Sequence, residues 1–220
     1  MTPGKIAVLC PTRGRPDEFR WLRDSVAKTS DADVLAYVDE DQAELYGPEI
    51  CDSDNTTVGG RIGPVASANL MARKYPDYSA YGLVTDDSML ATPGWDRWAD
   101  DALNRFPGRL CVLSPSHNNG THVDMPFVSR EWIDLVGWYA CPSTFHYAWP
   151  IITGLIGEMT AIVHAPRDKF SLEHNYVEGT NAGIRDRDYR AFFSYVSSFL
   201  PETVDKIRKQ MVKAARLDAA

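Results

Sequence analysis

Four short apolar runs, each cut off by a charged or turn-rich loop, constrain this chain more than any other feature. They are KIAVLCP (5–11), DVLAYVD (33–39), YGLVT (81–85) and RLCVLS (109–114). Runs of this length, bounded by turn residues, read as strands buried on both faces. Between them lie stretches with helical spacing. Residues 17–28 carry Phe19, Leu22 and Val26, with Asp17 and Glu18 in the first turn, where the helix dipole favours acids. Residues 64–75 carry Val65, Ala68, Leu70, Ala72 and Tyr75, and 94–106 is helical again. Strand alternating with helix predicts an α/β fold with a mostly parallel central sheet and helices on both faces. Such sheets bind ligands outside the carboxyl ends of their strands. The loops there are TRGRP, DEDQ and DDSM, so the charged segments converge on one edge.

The chain has 220 residues, enough for one sizeable core, with 44% apolar and 24% charged residues. A single domain spanning 1–220 is expected. Its apolar runs fall short of the roughly 18 residues of a membrane span. The segment MTPGKIAVLC lacks the basic and long apolar regions of a signal peptide, so a cytoplasmic protein is expected. Cys10, Cys51, Cys111 and Cys141 form no CxxC pair, which argues against a zinc knuckle and for free, mostly buried thiols. A net charge of −7 argues against broad nucleic-acid affinity and suits a protein that binds a divalent cation.

The second half is less regular. Residues 48–60 read as a surface loop, and Ser129 with nearby Glu131 as a helix start. Residues 141–158 are rich in aromatics, and 161–164 read as a strand. A terminal helix over 201–217 opens on Pro201 and buries Val204, Ile207, Met211 and Ala215. Its Lys206, Arg208, Lys209, Lys213 and Arg216 form either a solvated face or a handle for a phosphate-bearing acceptor.

Asp86 and Asp87 carry the strongest chemical signal. Adjacent strand residues point to opposite faces, but where the chain turns both can approach one ligand. Carboxylates suit hard cations such as Mg2+ and Mn2+, which bridge the phosphates of a nucleotide. The other reading is a turn in which aspartate caps backbone.

PTRGRP, VDEDQ and VTDDSMLATPGW, in this order and spacing, resemble the GT-A glycosyltransferases, within them the family 2-like enzymes and their small stand-alone, phage-type members. The likeness covers roughly residues 4–190. It implies a nucleotide-sugar-binding half over 1–115, an acceptor half over 116–200 and a C-terminal helix over 201–220. It also implies an acidic motif that holds Mn2+ or Mg2+ under the diphosphate.

Carried over by position, Pro11, Thr12 and Arg13 match the loop that contacts base and ribose, with Arg15 beside them. Asp39 matches the acid that reads uracil or ribose. Arg61 and Asn69 match residues flanking the helix near the nucleotide. Asp87 is implied as the metal ligand, with Asp86 on the ribose or on a metal-bound water. His174 would complete the metal site, and Tyr176 and Gly179 would line a loop that closes over the diphosphate. Ser88 departs from the pattern, since many relatives carry a third acid there.

Trp95 and Trp149 are the tryptophans implied in the cleft. An acidic base is absent from STFHYAWPIITG, which leaves His146, Glu158 and Asp124 as candidates. The implied activity moves a sugar from a nucleoside diphosphate donor, foremost a UDP-sugar, to a hydroxyl on a saccharide, a lipid-linked sugar or a hydroxymethylated DNA base. Two alternatives stay open. One is a nucleotidyltransferase, which would favour a more glycine-rich first loop, and the other is a non-catalytic nucleotide-sugar-binding module.

Overall fold

The computed structural model describes residues 4–117, 123–146, 148–174 and 182–218. The amino-terminal half opens with β1 (Ile6–Thr12), α1 (Pro16–Thr29) and β2 (Asp33–Asp39). A 3-10 turn (Glu40–Gln42) leads into two single-turn helices, α2 (Ala43–Tyr46) and α3 (Pro48–Cys51), and then β3 (Thr56–Gly59). Next come α4 (Pro64–Lys74), β4 (Ala80–Leu83), β5 (Ser88–Leu90) and α5 (Trp95–Asn104).

Beyond a 3-10 turn (Pro107–Arg109) lie β6 (Val112–Ser114), β7 (Ser116–His117), β8 (Phe127–Ser129) and α6 (Arg130–Val136). The chain continues with α7 (Ala148–Met159), β9 (Ile162–His164) and β10 (Ser171–His174), followed by α8 (Ala182–Ser198) and α9 (Leu200–Asp218).

Seven strands form the central sheet in the order β3-β2-β1-β4-β8-β6-β9. The pairs β1 with β2, β1 with β4, β2 with β3 and β6 with β9 are parallel, and only β8 runs against its neighbours. The expected mostly parallel sheet is therefore present. Alternation along β1 sends Ile6, Val8 and Cys10 to one face, where they pack with Phe19, Leu22 and Val26 of α1 and Ala99 and Leu103 of α5. Ala7 and Leu9 face the other way, into a layer with Val65, Ala68 and Met71 of α4 and Val204 and Ile207 of α9. Burial on both faces is why these strands read as unbroken apolar runs. Among the described residues, no helix is long and apolar enough to cross a membrane.

One sequence reading needs correction, and two elements go beyond what the sequence showed. Residues 48–60 are not a plain loop: they hold α3 and edge strand β3, which pairs with β2 from Ala36↔Thr56 to Asp39↔Gly59. The aromatic segment over 141–158 contains helix α7. The antiparallel strand β8 was not legible, because three residues carry no measurable period.

β8 nevertheless decides where β4 ends. Gly82 pairs with Phe127, and a Cβ at Gly82 would lie 2.2 Å from the Phe127 ring, so only glycine lets that ring cross β4. One residue further the partner is Pro126, which has no N–H to offer. Tyr139 fills the gap: its hydroxyl accepts from Leu83 N at 2.5 Å and donates to Pro126 O at 2.7 Å. The ladder stops there, and the chain is released into the turn that holds Asp86 and Asp87.

Candidate active site

The loops after β1, β2 and β4 meet at the carboxyl edge of the sheet, as the strand order requires. Thr12 ends β1, and its Oγ1 donates to Asp86 Oδ2 at 2.7 Å. The Tyr46 hydroxyl lies 2.6 Å from the same Thr12 Oγ1 and accepts from the Arg15 backbone N–H at 3.1 Å, which pins the first loop from α2. Arg15 Nη1 donates to Asp86 Oδ1 at 3.2 Å and to Asp87 Oδ2 at 3.1 Å. Adjacent carboxylates thus do converge on one cation. Both aspartates are buried, at 6% exposure each. Burial raises the Asp86 pKa above its ordinary value, against the opposing pull of Thr12 and Arg15.

A second, three-stranded sheet of order β5-β10-β7 brings histidines to the same place. The antiparallel register sets His174 directly opposite Ser88, and His174 Nδ1 lies 2.8 Å from Ser88 Oγ. The other ring nitrogen, Nε2, faces Asp87 Oδ2 at 3.7 Å. β7 runs parallel to β10 and places His117 beside Leu172; the two imidazole centroids are 5.6 Å apart. His117 Nε2 in turn lies 3.7 Å from Asp124 Oδ2. Asp124, His117 and His174 thus lie in succession beside the acidic pair. Sequence reasoning missed His117; its position at the end of a β6–β7 run, in SPSH, was the available signal.

The arginine beside the second strand is held tightly. Arg13 Nη1 donates to Asp39 Oδ2 at 2.8 Å, and Nη1 and Nη2 together grip Asp41. The hydrogen bonds from Arg13 hold the Asp41 carboxyl below its usual range, with a smaller contribution from exposed Arg61. Pro11, Thr12, Arg13, Asp39 and Arg61 thus lie around one end of the edge.

His146 lies just before α7. Its backbone N–H donates to Asp188 Oδ2 at 2.6 Å, and Phe145 N donates to Asp188 Oδ1 at 2.8 Å, so Asp188 of α8 fixes the chain entering α7. His146 is exposed overall, although the protein packed around it still desolvates the ring. Desolvation lowers its pKa, opposed by the charges of Asp188 and Asp87. Phe145 packs on Gly63, whose φ of +85° and lack of a Cβ permit a contact that any side chain would block.

The structure leaves other expected residues away from the edge. Asn69 is turned inward: its Oδ1 accepts from Tyr139 N at 2.8 Å and Ala140 N at 3.1 Å, and Nδ2 donates to Ala140 O at 2.7 Å. Trp95 is fully buried and stacked on Phe170 at 4.9 Å, so it has no free face for a base or sugar. Trp149 is buried against Tyr139. Glu158 sits near the far end of α7, about 15 Å along the axis from its start, and its Oε1 lies 3.4 Å from His164 Nε2. Tyr176 and Gly179 lie outside the described residues.

The donor chemistry suits a divalent cation in a limited way. Asp87 Oδ1 is buried with no hydrogen-bond partner among the described residues, and Oδ2 faces the His174 imidazole. Carboxylate with imidazole is a donor set that Mn2+ accepts. Among the described residues, no three His, Cys, Asp or Glu side chains close into a metal cluster, so the protein offers two donors rather than a full cage.

No family model matches the chain, and no curated protein sequence matches it. Solved structures do. Residues 1–349 of S. aureus TarS superpose with a TM-score of 0.58 at 13% identity, covering 94% of this chain and 70% of that one. The mannosyltransferase PcManGT from Pyrobaculum calidifontis, in complex with GDP-Man and Mn2+, superposes with a TM-score of 0.60 at 11% identity, covering 98% of this chain and 76% of that one. The chain has a GT-A-like glycosyltransferase fold.

Proposed function

We propose that the protein is a metal-assisted glycosyltransferase that moves a sugar from a nucleoside diphosphate donor to an acceptor hydroxyl. The observation that carries this reading is the convergence of Asp86 and Asp87 with Arg15 and His174 at the carboxyl edge of a GT-A-like sheet. A buried pair of carboxylates there is costly unless cations use it. The donor's base and ribose would lie along Pro11, Thr12, Arg13 and Asp39, with Arg61 at the rim.

Asp87 and His174 would hold Mn2+ or Mg2+, and the remaining positions would fall to water and the donor diphosphate. When bound, the cation offsets the charge that builds on the departing diphosphate. Thr12 holds Asp86 in place at the ribose side. His146 is the proposed base. Its lowered pKa leaves the imidazole neutral at pH 7, ready to accept the acceptor's proton as the hydroxyl oxygen attacks the sugar. Asp124, beside His117, is the second candidate, whereas the position of Glu158 argues against a direct role for it.

The donor is proposed to be a UDP-sugar. Asp39 offers only acceptor oxygens, which suits a base carrying an imino N–H, a property uracil and guanine share. The mannosyltransferase neighbour, captured with GDP-Man, makes GDP-sugars the second set to test. A saccharide, or a hydroxymethylated DNA base, is the proposed acceptor class. The test is release of UDP or GDP from a panel of nucleotide sugars with Mn2+ present. Turnover that disappears in Asp87→Asn supports the reading, and no turnover or binding with any donor would sink it.

A further inference from the structure

We propose that Arg15 is a built-in counter-ion for the acidic pair: it competes with the divalent cation for Asp86 and Asp87 and yields them when cation and diphosphate arrive together. The inference rests on the metal-assisted reading above and deepens it.

A single nitrogen, Arg15 Nη1, bridges both carboxylates, 3.2 Å from Asp86 Oδ1 and 3.1 Å from Asp87 Oδ2. The four carboxylate oxygens are not equivalent. Asp86 Oδ2 is taken by Thr12, Asp86 Oδ1 and Asp87 Oδ2 by Arg15, and Asp87 Oδ1 is buried without a hydrogen-bond partner among the described residues. The oxygen that Arg15 holds on Asp87 is the same one that faces His174 Nε2. A divalent ion shared by Asp87 and His174 therefore meets a guanidinium on its own ligand oxygen. A guanidinium and a divalent ion on one carboxylate oxygen repel each other, so each weakens the other's hold on Asp87.

Arg15 is built to be the one that moves. Its backbone is anchored, with the N–H on the Tyr46 hydroxyl at the start of α1. Its side chain is the more exposed partner, at 31% against 8% for each aspartate. Arg13, two residues earlier in the same loop, is fixed by three hydrogen bonds to Asp39 and Asp41. One arginine of TRGRP is a strut and the other a movable charge. Once displaced, the Arg15 guanidinium has a partner of matching geometry in the incoming diphosphate, since the planar fork pairs with phosphate oxygens. The cation and the nucleotide then bind cooperatively, because each helps to draw Arg15 off the carboxylates.

The test is a titration of the full chain with Mn2+ alone, with free Mn2+ read by electron paramagnetic resonance, on the wild type, Arg15→Gln, Arg15→Lys and Asp87→Asn. Arg15→Gln is expected to bind Mn2+ on the order of 10-fold more tightly than wild type without nucleotide. Arg15→Lys keeps the charge and should stay close to wild type. UDP should sharpen Mn2+ binding more in the wild type than in Arg15→Gln. If Arg15→Gln binds Mn2+ no more tightly while Asp87→Asn loses it, the counter-ion role fails and the metal reading stands. If neither wild type nor Arg15→Gln binds Mn2+ with or without UDP, both fail. Should Arg15→Gln not fold by circular dichroism, the Arg15 Nε–Hε signal of wild-type protein labelled with 15N-arginine decides the question. Added Mg2+ and UDP must shift it, and an unmoved signal contradicts the proposal.

Discussion

Ser88 Oγ lies 2.8 Å from His174 Nδ1, across the β5–β10 pair. The serine stands where a third acid is expected from the family resemblance. Its role in the structure is to fix the orientation of the imidazole and turn Nε2 toward Asp87. Groups that hold a metal-binding histidine from behind are typically worth 10- to 100-fold in metal affinity. Ser88→Ala is therefore expected to weaken Mn2+ binding by about 10-fold with little change in fold, as measured by calorimetry and circular dichroism.

Asp86 pays for its position in stability. Burial raises its pKa, so at neutral pH the folded state holds an ionised carboxylate that would rather be protonated. A raised carboxylate pKa means that folding is favoured below it and that this advantage is lost as pH rises through it. Asp86→Asn removes the charge but can still accept from Thr12. The variant is expected to be more stable at pH 7 by on the order of 1 kcal/mol, roughly 2–4 °C in Tm, while losing transferase activity. The gain should shrink as the pH falls through the raised pKa, because wild type is then protonated too. Calorimetric melts across pH check both parts.

His146 has the opposite shift. Desolvation lowers its pKa, so the neutral, proton-accepting form persists to lower pH than for an ordinary histidine. The acid limb of kcat/KM should therefore fall below pH about 6.5, the unperturbed histidine value. His146→Gln should lower kcat by about 10²- to 10⁴-fold with donor affinity little changed. An unchanged kcat would transfer the role to Asp124.

Much of the amino-terminal half was legible in the sequence, and the reasons are physical. β1, β2, α1 and α4 are long enough to show a period, and each buried strand ends in a charged loop. Parallel order then placed Thr12, Asp39 and Asp86 on one edge without any contact being known. The strands that build the histidine side, β5, β7 and β10, are only two to four residues long and come from distant parts of the chain. No local pattern announces that His117 and His174 will lie side by side. Asn69 and Trp95 were misplaced for a related reason. Whether a polar or aromatic side chain faces a cleft or a neighbouring backbone depends on partners about 70 residues away, as with Asn69 and Ala140.

Asn69 gives a test that separates structure from binding. Its amide satisfies two backbone N–H groups and one carbonyl in the buried 139–140 segment. Asn69→Ala leaves them without partners and should cost about 3 kcal/mol, a fall in Tm on the order of 10 °C. Donor affinity of the folded variant, measured well below its Tm, should match wild type.

The most direct measurement is calorimetric titration of UDP and GDP into wild type and Asp87→Asn, each with and without Mn2+. Binding of a nucleoside diphosphate that requires Mn2+ in wild type and disappears in Asp87→Asn is the result predicted for a donor site at the acidic pair. Failure of both nucleotides to bind, or binding that Asp87→Asn leaves intact, would mean that Asp86 and Asp87 do not form the donor site.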